Sequence, residues 1–324
     1  KFTELGRTAA ELESATATEV QQRFAAALLT ESAYYAVLAD GELTRVARGR
    51  VERAEEQLKL ARARVASGAA VQSDSLTVRL ELLRARVDLL RIESTLRVSR
   101  LELGRRAGVD GPADAAPLSE EPPAALPIGL GEAITQALEQ GPEYRAARAR
   151  ERAANAKLKG RRGDYFPTLT LTGAHSRFDV RPFPGATNVS SLSVALNWTI
   201  WNNGQRELAI IQSRADRDVA RAVRSDLERA ALRDVTQAYD GYETARAAVA
   251  LADEGLLVAR ENYRVQEARY KAGATSVLDL LTAQNGLSDA EAGGVQARYV
   301  ARLALAQLEA ILGTRLQTLN GGSQ

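Results

Sequence analysis

Proline is confined to one stretch of this 324-residue chain: all nine prolines fall between Pro112 and Pro184, and residues 1–111 and 185–324 have none. Proline breaks helix interiors by removing an N–H and clashing with the preceding turn. Both blocks are therefore free to form very long helices. Leu82, Leu89, Leu96 and Leu103 recur every seven residues, with Leu76, Leu83 and Leu90 running beside them. One seam suffices for a two-stranded coiled coil; two adjacent seams let a helix pack against a neighbour on each side. Upstream, Ala47, Ala54 and Ala61 are small enough for backbones to approach closely. On this pattern alone a soluble coiled coil stays open.

The two blocks are copies of each other. Shifted by 205 residues, Ala33-Tyr34 falls on Ala238-Tyr239, Ala47 on Ala252, Glu56 on Glu261, Arg64 on Arg269, Gly68-Ala69 on Gly273-Ala274 and Asp74 on Asp279, without a gap. Leu82, Ala85, Leu103 and Gly108 fall on Leu287, Ala290, Leu308 and Gly313. Each copy reads as a long arm, a short Gly turn and a shorter return arm, a helical hairpin. An arm from Thr3 to Ala66 spans roughly 95 Å at 1.5 Å per residue. Such a helix cannot be buried in a compact domain and must pack sideways on other long helices.

Composition removes other classes. Lys+Arg number 43 and Asp+Glu 41, a net charge of +2, which gives no basic excess for nucleic acid. There is no Cys, hence no disulfide, thiolate metal site or Cys nucleophile. There is no Met, so the chain is expected to start internally or after processing. No apolar run approaches the roughly 20 residues of a membrane-spanning helix, but β-barrel strands leave a much weaker trace. His175 is the single histidine and lacks converging partners in the sequence, and the glycines form no phosphate loop. No catalytic residue, cofactor site or metal site is expected.

Between the copies, "VDGPADAAPLSEEPPAALP" (109–127) reads as an irregular connector. A short helix follows, then the Gly141-Pro142 break and a second helix ending near Gly160. Residues 165–174 and 189–201 then alternate with period two and carry no charge. Leu169 and Leu171, and Leu192, Val194, Leu196, Trp198 and Ile200, share one face; Thr168, Thr170, Thr172, Ser193 and Asn197 share the other. Segments of 10 and 13 residues match the length of strands crossing a bilayer at a tilt. Tyr165, Phe166, Trp198 and Trp201 at one end, with Phe178 and Phe183 in the connecting loop, resemble two interfacial girdles. A soluble hairpin packed on helices is the alternative.

The stretch "LGEAITQALEQGPEYRAARARERAANAKLKGRRGDYFPTLTLTG", the exit "NNGQRE" and the corner "YKAGATSVLDLLTAQ" resemble TolC-like outer membrane factors, in matching order over nearly the whole chain. The resemblance implies a mainly α fold with a small membrane β-barrel portion. Long hairpins of three copies would form a trimeric α-barrel tunnel continuous with transmembrane strands. It implies an exit duct in the outer membrane, reaching into the periplasm, for a tripartite efflux pump or type I secretion system. Its partners would be a periplasmic adaptor, an inner-membrane transporter and outer-membrane lipid. The alternative is a soluble periplasmic coiled-coil adaptor. On this reading residues 1–108 are the first hairpin, 109–128 the connector, 129–164 short helices, 165–204 the transmembrane β-hairpin, 205–313 the second hairpin and 314–324 a tail. Lys1 falls on Arg206 in the repeat, so a leading helix and first strand pair are expected to be missing from this sequence.

At the tips, Gly68 and Gly273 suit a turn with φ > 0. Asp74 and Asp279 fall where a carboxylate offsets a helix dipole. The resemblance implies more. Gly68, Ala69, Gly273 and Ala274 would touch the adaptor, while Asp74, Tyr270, Thr275 and Asp279 would form the periplasmic gate, with Asp279 as a threefold acidic ring. Some relatives carry Arg at the position of Thr275 and a second acid at that of Thr282, so an Arg–carboxylate lock and a double ring are not expected here.

Overall fold

A computed structural model describes residues 2–117, 123, 125–178 and 187–316. Among these residues, six helices and one strand pair follow in the order α1 (Phe2–Ala66), α2 (Gln72–Ala107), α3 (Leu130–Gln140), α4 (Pro142–Gly163), β1 (Thr168–Phe178), β2 (Thr187–Asn197), α5 (Gln205–Lys271) and α6 (Val277–Leu312). The 205-residue offset survives in the backbone. Adding it to Gln72–Ala107 gives Val277–Leu312, and α1 and α5 end at equivalent residues, Ala66 and Lys271. Each return helix stops at a glycine in the left-handed region, Gly108 (φ 72°) and Gly313 (φ 74°), where a side chain on Cβ would be strained.

The chain divides into two units, and α1 and α5 each contribute to both. The first unit holds Lys1–Glu19 and Glu143–Arg229. α4 opens on Pro142, whose missing N–H costs nothing at a helix start, and all of the helix but that residue belongs to this unit. Ion pairs line its flanks, Arg152–Glu13 (2.5 Å), Arg224–Glu151 (2.6 Å) and Lys157–Asp216 (2.8 Å), while Ala149 and Leu158 are buried.

The second unit holds Val20–Pro142 and Ala230–Gln324. One apolar cluster, Ala54, Leu58, Ala61, Val78 and Leu82, joins α1 to α2 and uses the small-residue arm opposite the leucine seam. A second, Ala33, Val37 and Leu103, takes in Ala113 and Ala115 of the connector. The repeat-related tyrosines both pin that connector: the Tyr34 hydroxyl donates to Ala116 O, and Tyr239 donates to Ile128 O. Tyr242 adds a third bond, to Pro123 O at 2.6 Å. Gly104 is glycine because the connector lies on it; a Cβ there would sit 1.9 Å from Gly111 O.

The strand pair begins and ends elsewhere than the alternation suggests. Tyr165 and Phe166 still hydrogen-bond back onto the end of α4, through Arg162 O and Gly163 O, and Pro167 has no N–H to give. Pairing therefore starts at Thr168, opposite Asn197. Beyond Asn197 the ladder has no partner residue. Trp198 and Ile200, expected in the lipid-facing strand, lie outside it, and the Trp198 indole donates to Tyr165 O at 3.3 Å. Phe178 ends β1 instead of lying in the loop, and Phe183 falls outside the described residues.

Candidate functional site

Three features present chemistry to a partner: the strand pair, the hairpin tips and two apolar stripes. In the antiparallel pair, residues directly opposite share a face. Leu169 stands opposite Leu196, Leu171 opposite Val194 and Gly173 opposite Leu192; between them Thr168 faces Asn197, Thr170 faces Ala195 and Thr172 faces Ser193. The register thus sorts a Leu/Val face from a Thr/Ser/Asn face. Leu169, Leu171, Leu192, Val194 and Leu196 are all exposed. Five large apolar side chains on one open face form an exposed patch of the kind that marks an interaction surface. His175, at the far end, bonds Ser190 through Nδ1 at 2.8 Å. Where β2 leaves, Arg206 stacks 3.9 Å from the Tyr165 ring centroid and donates to Thr199 O at 3.0 Å, fixing the start of α5.

The tips share a backbone but not a chemistry. Gly68 and Gly273 have φ of 72° and 76°, and the N–H groups of Ala69 and Ala274 close the same bond, 2.8 Å to Arg64 O and Arg269 O. At the N-terminus of α6, Ser276 and Asp279 form a capping box: Asp279 N–H donates to Ser276 Oγ, and Ser276 N–H and Oγ–H donate to Asp279 Oδ2. Thr275 Oγ1 donates to the same oxygen at 2.8 Å. The hydroxyls of Ser276 and Thr275 hold this carboxyl below the usual aspartate range. The equivalent of Ser276 in the first tip is Val71, which offers no cap, so Asp74 has no box to complete. Asp74 and Tyr270, expected in one gate, are not hydrogen-bonded to each other. The Tyr270 ring is buried, and among the described residues its hydroxyl meets no partner; burial pushes that hydroxyl up and the nearby Arg64 charge opposes it. Arg64, which the sequence reading passed over, donates to Tyr270 O at 2.6 Å.

The apolar stripes come from the repeat. On α6, Leu281, Ser288 and Val295 are buried; their equivalents on α2, Leu76, Leu83 and Leu90, are exposed. On α1, Val46, Arg53 and Leu60 are half-buried; their equivalents on α5, Leu251, Val258 and Val265, are exposed. Within the chain α1 is tied to α6 by Arg53–Glu291 (2.8 Å) and by Glu42 with Arg298 and Tyr299. The same pairing moved along by one repeat would join α5 to the α2 of another copy. The middle residues of the two covered stripes, Arg53 and Ser288, become Val258 and Leu83 in the exposed ones.

Among the described residues, no group of three or more His, Asp or Glu could hold a metal, and no helix is long and apolar enough to cross a membrane.

Residues 133–314 match the family model described as outer membrane efflux protein. The chain is 31% identical over 188 residues to Protein CyaE of Bordetella pertussis, covering 57% of this chain and 40% of that one. It is 28% identical over 176 residues to outer membrane efflux protein BepC of Brucella suis, covering 54% and 39%. It therefore spans about two fifths of the length of these curated relatives. In fold it resembles the CmeC outer membrane channel of Campylobacter jejuni, with a TM-score of 0.81 at 14% identity over 95% of this chain and 66% of that one.

Proposed function

The chain belongs to the outer membrane efflux protein family, and we propose that three copies of it form an exit duct in the outer membrane of a Gram-negative cell. The observation that carries this is the pair of unpaired heptad stripes. Leu76, Leu83 and Leu90 on one edge and Leu251, Val258 and Val265 on the other are exposed in a single chain. A closed ring covers both edges of every copy; an isolated monomer covers neither. Because α2 and α6 are antiparallel returns of the same repeat, the pairs are Leu76 with Val265, Leu83 with Val258 and Leu90 with Leu251. Four long helices per copy give a twelve-helix tunnel.

The remaining assignments follow from that reading. Residues 1–108 and 205–313 supply the tunnel hairpins, 109–128 and 129–164 its outer belt, and 165–204 a share of the membrane barrel. The Leu/Val strand face turns to lipid and the Thr/Ser/Asn face to the lumen. Gly68, Ala69, Gly273 and Ala274 dock the helical tips of a periplasmic adaptor, which couples the duct to an inner-membrane transporter. Asp279 contributes a ring of three carboxylates at the aperture. The duct passes small molecules or polypeptides and does no covalent chemistry.

Fractionation tests the reading. The protein should be recovered with outer membranes and released as a trimer by detergent. Recovery as a soluble periplasmic monomer would overturn it and restore the coiled-coil adaptor.

A further inference from the structure

Arg64 and Arg269 hold the same position in the two copies, four residues before each tip glycine. Their backbones make the same turn, yet their side chains differ. The Arg64 guanidinium carbon lies 4.6 Å from the centroid of the Tyr270 ring. Its Nη1 donates to Tyr270 O at 2.6 Å, and its Nη2 reaches Ala69 O at 3.4 Å. Nη2 also lies 3.5 Å from where a Cβ on Gly273 would stand. One guanidinium therefore touches both tips at once. Arg269 makes no side-chain hydrogen bond or ion pair among the described residues.

We propose that Arg64 is a positioning residue that clamps the second tip against the first. Each contact has a physical reason. Tyr270 O lies in the last turn of α5, at the negative end of the helix dipole; it accepts the Gly273 N–H at 3.0 Å and keeps a second lone pair for the guanidinium. The face of the ring attracts the same cation. A planar guanidinium satisfies ring, carbonyl and its own turn together; a lysine ammonium is a point charge and does not. The Tyr270 hydroxyl is buried without a partner at hydrogen-bonding geometry among the described residues, and the Arg64 guanidinium near it only opposes the rise that burial imposes on its pKa; the ring stack and the carbonyl bond carry the clamp.

The clamp is one-sided because the repeat has diverged at one residue. The first copy carries Val65 where the second carries Tyr270. In a ring, the junction between copies would place Arg269 near Val65, with no aromatic face to stack on. The tip junction inside each chain is thus the clamped one, and the junction between chains is free. This inference rests on the exit-duct reading for its consequence, widening of the aperture, but not for the clamp itself.

The chain has no cysteine, so Ser67→Cys and Ala274→Cys accept spin labels without background. Pulsed electron–electron resonance is measured on the detergent-solubilised protein, with labelled chains diluted into unlabelled ones. The unsubstituted tip gives a single narrow distance. Arg64→Gln, Arg64→Lys and Tyr270→Val lengthen it by about 5 Å, the one-turn slip by which packed helices change partners, and broaden it. Tyr270→Phe and Arg269→Gln leave it unchanged, and circular dichroism confirms that every variant keeps its helices. An unchanged distance in Arg64→Gln, or the same lengthening in Tyr270→Phe as in Tyr270→Val, overturns the clamp. Planar-bilayer conductance separates the two readings. A rise in Arg64→Gln ties the clamp to the aperture; a longer distance at unchanged conductance leaves the clamp standing and refutes that tie.

Discussion

Replacing Leu76, Leu83 and Leu90 together by Ser tests the ring directly. In a single chain these side chains are 56%, 50% and 66% exposed. Fully burying a leucine side chain is worth about 1.5–3 kcal/mol. With about half of each still to be covered, one leucine contributes ~1 kcal/mol and the stripe about 3 kcal/mol per junction. That is on the order of a hundredfold in association for each junction, and a trimer closes three. The chain itself should barely notice, because the substituted side chains already face water. The assay is light scattering behind size exclusion in detergent, with thermal circular dichroism on the same samples. Trimer should give way to monomer with its helical content unchanged, and the melting temperature should fall only by what association contributed. Leu281→Ser is the control. It holds the repeat position of Leu76 but is 7% exposed within the chain, so it should destabilise the fold by the few kcal/mol of a core substitution and lower the melting temperature accordingly. A triple variant that remains trimeric at the parent's concentration would falsify the pairing of α2 with α5, and with it the argument from the repeat.

Further outcomes follow from other parts of the structure. Leu196→Arg places a charge on the Leu/Val strand face and should impair membrane assembly by about 2–4 kcal/mol near the midplane, whereas Asn197→Ser should be tolerated; equal membrane recovery of both would show the faces misassigned. Gly104→Ala should cost roughly 1–3 kcal/mol as an overpacked site, read as a drop in melting temperature, since its Cβ would strike Gly111 O and lift the connector. Asp279 is held below the usual carboxylate range by Ser276 and Thr275, so its cap is complete at pH values above that range and is lost as pH falls through the depressed value. Amide protection at the start of α6, corrected for the intrinsic exchange rate at each pH, should fall in acid and, at neutral pH, in Asp279→Asn. The same variant should weaken cation selectivity in planar bilayers; lost protection with unchanged selectivity would confine Asp279 to the helix cap.

Much was legible in the linear text because it depends on local rules. The absence of proline from two blocks and the Gly turns at 68 and 273 specify hairpins, since proline and glycine act on the backbone of their own residues. Two-residue alternation gave the strand faces for the same reason. The strand ends were not legible: Tyr165 and Phe166 look like strand residues but finish the turn of α4, and Trp198 and Ile200 continue the alternation after the ladder has run out of partners. Nor did the sequence reveal which heptad stripe is covered. Leu76 and Leu281 are the same residue in the same repeat, yet one is exposed and the other buried, because burial belongs to the neighbour and not to the residue. The tip divided in the same way. Sequence placed Arg64, Arg269 and Tyr270 beside their glycines, but whether a guanidinium reaches across to another hairpin depends on two helices that meet 206 residues apart along the chain. Periodicity and turn chemistry are properties of a few adjacent residues, whereas contacts between distant residues exist only once the helices have packed.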